Sequence, residues 1–136
     1  MAVGLLVNID VDDLGRAEAF YVAAFGLRPG RRFGEGGVEL LGAPCAIYLL
    51  AKAAGSSPAE GASPRDYGRH WTPVHLDFVV PDIEAAVARA EAAGARLEPP
   101  VRIQAWGRLA LMADPFGHGF CLVEFLGRGY DEVATG

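Results

Sequence analysis

The run Val11-Asp12-Asp13-Leu14-Gly15-Arg16-Ala17-Glu18-Ala19-Phe20-Tyr21, continued by Phe25-Gly26-Leu27, decides how the rest of the chain is read. Leu14, Ala17, Phe20, Tyr21 and Ala24 recur at helical spacing and share one face, so an amphipathic helix is predicted. Asp12 or Asp13 can cap its amino end, and Gly26 is a suitable stop. Upstream, Val3 to Asp10 is mostly aliphatic or β-branched and reads as a strand. Downstream, three short extended segments, Arg28 to Gly34, Val38 to Leu41 and Cys45 to Ala51, are separated by glycine-rich turns. The first half therefore reads β-α-β-β-β.

The same order then repeats. Lys52 to Thr72 is rich in Ala, Gly, Ser and Pro without apolar periodicity and reads as a connecting loop. Val74 to Val80 is a strand, and Pro81-Asp82 opens a helix whose Ile83, Val87 and Ala90 share a face before Gly94 ends it. Three extended segments follow: Ala95 to Glu98, Trp106 to Ala113, and Gly119 to Leu126. At an offset of 69, Leu6 falls on His75, Asn8 on Asp77, Asp13 on Asp82 and Leu14 on Ile83. An internal duplication follows, and the fold class is α+β with two tandem βαβββ modules. The modules are expected at about 2–51 and 74–127, with a connector at 52–73 and a tail at 128–136, together one domain.

Composition narrows the function. The chain has 136 residues, is 51% hydrophobic and 21% charged, and so carries enough apolar material for a packed core without staples. Its apolar runs, such as Ala46 to Ala51, fall far short of the ~20 residues a membrane helix needs. Met1-Ala2-Val3-Gly4-Leu5-Leu6 lacks a basic region ahead of its apolar stretch, unlike a signal peptide, which makes the cytoplasm the expected location. A net charge of −5 without a Lys/Arg cluster disfavours nucleic acid as partner. Cys45 and Cys121 each sit in an apolar run outside any Cys-x-x-Cys spacing, so buried free thiols are expected.

The stretch Val11 to Tyr21 with Phe25-Gly26-Leu27, together with Trp106-Gly107 and Asp114-Pro115-Phe116-Gly117-His118, resembles the vicinal oxygen chelate superfamily. That superfamily includes glyoxalase I, extradiol dioxygenases, and the fosfomycin- and bleomycin-resistance proteins. The resemblance implies an open half-barrel sheet with a cavity on its concave face, and modules that commonly pair across a twofold interface, hence a homodimer. It also implies, for the enzymes, a divalent metal held by a His or Gln from the first strand of each module and a Glu from the last. That set would act as a Lewis acid on substrate oxygens.

Carried over position by position, this ligand set is mostly missing. His75 matches, whereas Leu6 stands at the equivalent place in the first module and Cys121 where the family glutamate would fall. Glu124 is near in sequence, but strand alternation turns it to the face opposite Cys121. The first module's equivalent lies among Ala46 to Tyr48, without a carboxylate. No cofactor is therefore expected and a divalent metal is disfavoured, and with it glyoxalase I activity.

Alternation nominates a pocket instead. His75 and Asp77 share a face with Val79, and Asn8 and Asp10 share one with Leu6. Trp106 and Arg108 are expected on one face of their strand, Tyr48 projects from the last strand of the first module, and Cys121 completes the ligand-binding set. Arg108, if inward, suits a carboxylate or phosphate. His118 is expected to serve a turn by tolerating left-handed backbone angles, and Tyr67, Arg69, His70 and Trp71 are candidates for a lid.

Two functions fit these residues. One is a metal-free small-molecule-binding protein that sequesters an antibiotic or metabolite. The other is an enzyme of the superfamily, a lyase, isomerase or dioxygenase. The enzyme would be metal-dependent with displaced ligands, or metal-free with His75 and a neighbouring Asp, Asp77 or Asp10, as general base.

Overall fold

Strands form only where another strand can complete their hydrogen bonds, and that rule sets the first element. The computed structural model describes residues 2–136. Strand β1 (Val7–Val11) pairs in parallel with β4 (Ile47–Ala51), Val7 opposite Ile47 and Val11 opposite Ala51. The ladder begins at Ile47, so Val3, Leu5 and Leu6, expected in the strand, lie exposed ahead of it. Helix α1 (Leu14–Phe25) follows; Asp13 is its cap, its carboxylate accepting from the Arg16 N–H at 3.0 Å. Strands β2 (Arg28–Arg32) and β3 (Gly37–Leu41) complete a sheet in the order β1-β4-β3-β2, antiparallel except for β1 and β4. Val38, Leu40, Ile47 and Leu49 are buried on the face that meets Ala17, Phe20, Tyr21 and Ala24 of α1.

The chain divides into two compact units, residues 1–68 and 69–136. The connector is accordingly split, with 52–68 belonging to the first. It is not featureless: the Gly55 N–H donates to the Arg65 carbonyl, the Arg65 N–H to the Ser56 carbonyl, and the Arg65 guanidinium reaches Asp10 at 2.8 Å.

The second unit repeats the plan. Strand β5 (Leu76–Val79) runs parallel to β9 (Gly119–Phe125), with Leu76 opposite Phe120 and Asp77 opposite Cys121. Helix α2 (Ile83–Ala93) is capped by Asp82, which accepts from the Ala85 N–H at 3.1 Å, the counterpart of the Asp13 cap. The sheet order is β5-β9-β8-β6, built with β6 (Arg96–Leu97) and β8 (Gly107–Ala113). A further strand not foreseen from the sequence, β7 (Arg102–Gln104), forms a hairpin with β8. Its residues are mostly exposed, so they carry no alternation to read. The hairpin's turn holds Ala105 and Trp106, so β8 begins at Gly107, one residue later than expected.

Gly107 has φ +154°, and a Cβ there would stand 2.0 Å from the Glu124 carbonyl oxygen of β9; only glycine lets the two backbones approach so closely. In the turn before β9 the Asp114 carboxylate accepts from the N–H groups of Phe116 and His118 at 2.8 and 3.0 Å. The left-handed angle belongs to Gly117, φ +81°, and not to His118 as expected, because the backbone needs one such residue and glycine adopts it without steric cost.

The architecture is thus α+β, two tandem repeated modules with open mixed sheets, βαβββ in the first and the same plan with β7 added in the second. Both cysteines are free thiols, and among the described residues no helix is long and apolar enough to cross a membrane.

Candidate functional site

Each sheet has one face covered by its own helix and one that is not, and ion pairs to the helices identify which is which. In the second unit, Arg108 and Glu124 are cross-strand partners on β8 and β9, and Arg108 also pairs with Glu84 of α2. The Glu124 carboxylate accepts from the Ile83 N–H at the start of α2, 2.9 Å, and from Arg108 at 2.8 and 2.9 Å. Both residues therefore face the helix. This corrects the expectation that Arg108 would be an inward anion-binding group: its donors are consumed by two carboxylates, which raise its pKa further.

Trp106 does not share a face with Arg108 either. It lies in the β7–β8 turn, outside the alternation of β8, and packs on Phe125 and Tyr130 with ring centroids 5.9 and 5.3 Å away.

The helix-free face of the second unit carries His75, Asp77 and Cys121. Asp77 stands opposite Cys121 in register, and His75 Nε2 lies 3.2 Å from Asp77 Oδ1. One donor atom from each of the three residues lies within 4.8 Å of the others. His75 and Asp77 are exposed while Cys121 is buried. Burial pushes the Cys121 thiol up to about 11, aided by the Asp77 charge and by the hydrogen bond between the two side chains, while Arg102 pulls the other way.

In the first unit, Arg32 pairs with Glu18 of α1, so Arg32 faces the helix and its neighbours Arg31 and Phe33 face away. On that helix-free face Asn8 stands opposite Tyr48, and Tyr48 opposite Glu39. Glu39 is buried there, and accepts from the Arg31 backbone N–H at 3.1 Å, from Arg31 Nε at 3.2 Å and Nη2 at 2.7 Å, and from the Tyr48 hydroxyl at 3.0 Å. The Arg31 guanidinium and these hydrogen bonds hold the Glu39 carboxyl down at about 2. Gly30 makes room, since a Cβ there would lie 2.6 Å from Glu39 Oε1. Asp10 is on the same edge strand but is engaged by Arg65.

Register defines the correspondence between modules. Tyr48 faces Asn8 across β1 and β4 as Cys121 faces Asp77 across β5 and β9, so Tyr48 is the first module's counterpart of Cys121. Glu39 sits one strand over, where the second module has Leu111 opposite Cys121. Sequence reasoning missed Glu39 and Arg31 because it sought a carboxylate on the last strand. A lone acidic residue inside Gly37-Val38-Glu39-Leu40-Leu41 was the available signal.

The remaining histidines are paired with each other: His118 Nδ1 and His70 Nε2 are 2.9 Å apart. Of the lid candidates, Tyr67 donates to the Lys52 carbonyl, Arg69 pairs with Glu98 at 2.7 Å, and Trp71 is exposed.

These donors do not fit a hard divalent metal held in the family's manner. Leu6 has no donor atom, the β9 carboxylate faces the helix, and the remaining set pairs one imidazole and one carboxylate with a thiol that burial keeps protonated.

Residues 6–123 match the glyoxalase-like domain family. An uncharacterised protein of Mycobacterium tuberculosis (strain ATCC 25618 / H37Rv), Rv0887c, is 34% identical over 120 residues, covering 85% of this chain and 70% of that protein. The anthracycline biosynthesis protein DnrV of Streptomyces peucetius is 30% identical over 130 residues, covering 96% of this chain but 44% of its own length. Among solved structures, the fosfomycin resistance protein FosX of Listeria monocytogenes superposes with a TM-score of 0.72 at 22% identity, covering 98% of this chain and all of that one. TioX of Micromonospora sp. ML1 gives 0.67 at 21% identity, covering 92% of this chain.

Proposed function

This chain belongs to the glyoxalase-like domain family of the vicinal oxygen chelate superfamily, and from that premise we propose that it is a metal-free small-molecule-binding protein that sequesters an antibiotic or metabolite. The observation that carries the reading is the placement of Glu124. The sole carboxylate of β9 points at the amino end of α2 and is saturated by Ile83 and Arg108, leaving Cys121 on the helix-free face. A Lewis-acid site would need that carboxylate on the other side of the sheet, which a strand allows only through a one-residue slip of the whole ladder. The helix-free face of the first unit carries aromatic and amide groups and that of the second an imidazole and a carboxylate, and such groups suit each face to holding an organic ligand by hydrogen bonds and ring contacts.

The protein is expected to work in the cytoplasm as a homodimer, with no nucleic-acid or membrane partner. Metal analysis of protein purified without chelator, together with native mass spectrometry, tests the function. Substoichiometric metal and a co-purifying or added small molecule bound one per chain support it. Stoichiometric zinc, nickel, iron or manganese lost in His75→Ala refutes it.

One contact favours a second reading. The 3.2 Å approach of His75 Nε2 to Asp77 Oδ1 is the arrangement of an oriented imidazole, which could abstract a proton from a bound substrate through its other nitrogen. Turnover abolished by His75→Gln and by Asp77→Asn, with ligand binding retained, would convert the binder into a metal-free lyase or isomerase.

A further inference from the structure

The helix-free face of the first module holds an arrangement of which the sequence nominated Tyr48 alone. Phe33 is 48% exposed, its ring 6.0 Å from that of Tyr48, and the Arg31 guanidinium carbon lies 5.8 Å from the Phe33 centroid. Arg31 is exposed over 69% of its side chain yet is fixed, because Nε and Nη2 are both bound to Glu39 and Nη2 also reaches the Tyr48 hydroxyl at 3.1 Å. Glu39 itself is more than nine-tenths buried. A buried carboxylate thus holds a cation in place beside two aromatic rings, with the cation's outer edge toward solvent.

We propose that Arg31, Phe33 and Tyr48 form a recognition platform for a planar aromatic ligand bearing a neutral hydrogen-bond acceptor such as a carbonyl. The proposal rests on the small-molecule-binding reading above and names its ligand class. Three features select that class. The guanidinium is held over the half-exposed Phe33 ring, so an aromatic ring that settles against the phenylalanine or on the guanidinium plane gains stacking or cation–π contact. The rigidity of Arg31 means little side-chain entropy is lost when a ligand settles on it. Charge decides against phosphate or multiply charged anions: Glu39 already balances Arg31, so the corner is neutral overall and offers directional donors without a net positive field.

The test compares 2-naphthamide with its fully saturated decalin carboxamide, matched in size and acceptor, by chemical-shift titration of the intact chain. The aromatic amide is expected to bind at least about tenfold more tightly, a difference of about 1.4 kcal/mol. Phe33→Leu should weaken it by about tenfold, Phe33→Trp should preserve or strengthen it, and Arg31→Lys should weaken it because ammonium lacks the planar fork. Arg32→Gln, on the opposite face beside the platform, should leave it unchanged. Equal binding of the two amides, or an aromatic amide whose affinity ignores Phe33→Leu, overturns the platform while leaving the binding function standing. Binding of neither amide overturns the platform as well, and the mass-spectrometric experiment then decides the binding function by itself.

Discussion

Replacing Gly107 by alanine perturbs the place where β8 approaches β9, the strand carrying Cys121 and Glu124, too closely for any side chain. Two costs can be separated. A residue with a Cβ held at φ +154° is strained by about 1–3 kcal/mol. The new methyl would also lie 2.0 Å from the Glu124 carbonyl oxygen and 3.1 Å from the Phe125 Cα, both backbone atoms that no rotamer change can move. Restoring a tolerable contact of 3.0 Å requires β8 and β9 to part by about 1 Å at this end. That loosens the Gly107–Phe125 pairing and the Leu126 N–H to Trp106 carbonyl bond of 3.0 Å, at about 1 kcal/mol each. The sum is about 3–5 kcal/mol, a large share of the 5–15 kcal/mol typical of a domain. Urea unfolding followed by tryptophan fluorescence should show a midpoint lower by about 2 M for a slope in the usual range. Gly15→Ala is the matched control. Gly15 lies within α1, with the nearest atom to an added methyl at 3.9 Å, and the substitution should stabilise by about 0.5–1 kcal/mol. A Gly107→Ala protein within about 0.5 kcal/mol of the parent would refute the reasoning, since it would mean that the β7–β8 hairpin relaxes freely.

Three further outcomes are expected. Asp13→Ala and Asp82→Ala should each cost about 1 kcal/mol in urea unfolding, and by similar amounts, because the two caps make the same bond at duplicated positions; a twofold disparity would count against equivalence. The Glu39 carboxyl is held at about 2 against its ordinary 4.5, so its contribution is fully present above pH 4.5 and is lost as pH falls from there toward 2; Glu39→Gln should remove that segment of the stability–pH curve, measured by urea midpoints. Cys121, pushed from 9 up to about 11, contributes stability below pH 9 that is lost as pH rises toward 11, and at pH 8 its thiolate fraction is about 100-fold below that of an unperturbed thiol. Iodoacetamide should accordingly modify it at least about tenfold more slowly than free cysteine, the higher nucleophilicity of a high-pKa thiolate offsetting part of its lower abundance, and rapid labelling of Cys121 followed by mass spectrometry would contradict its buried, protonated state.

The duplication was written in the sequence by itself. Apolar spacing set both helices, Asp13 and Asp82 set their starts, and Gly26 and Gly94 their ends, because these signals are local and read within a few residues. Alternation also settled that Glu124 and Cys121 point to opposite faces, since strand geometry admits no other outcome. Where pairing partners mattered, local reading failed. Val3 to Leu6 has strand-like composition but no strand to pair with ahead of Ile47, and β7 became a strand only because β8 lies beside it. The helix-free faces belong wholly to tertiary structure. Nothing near Arg108 in sequence shows that Glu84 and Glu124 take up its donors, and nothing near Arg31 shows that Glu39 and Tyr48 hold it. Such clusters arise from cross-strand register and from helix packing on the sheet, which bring residues 8 to 41 positions apart to within hydrogen-bond reach. Local spacing therefore specified the two modules, and strand register together with helix packing decided which of their charged groups bind each other and which are left on the helix-free faces.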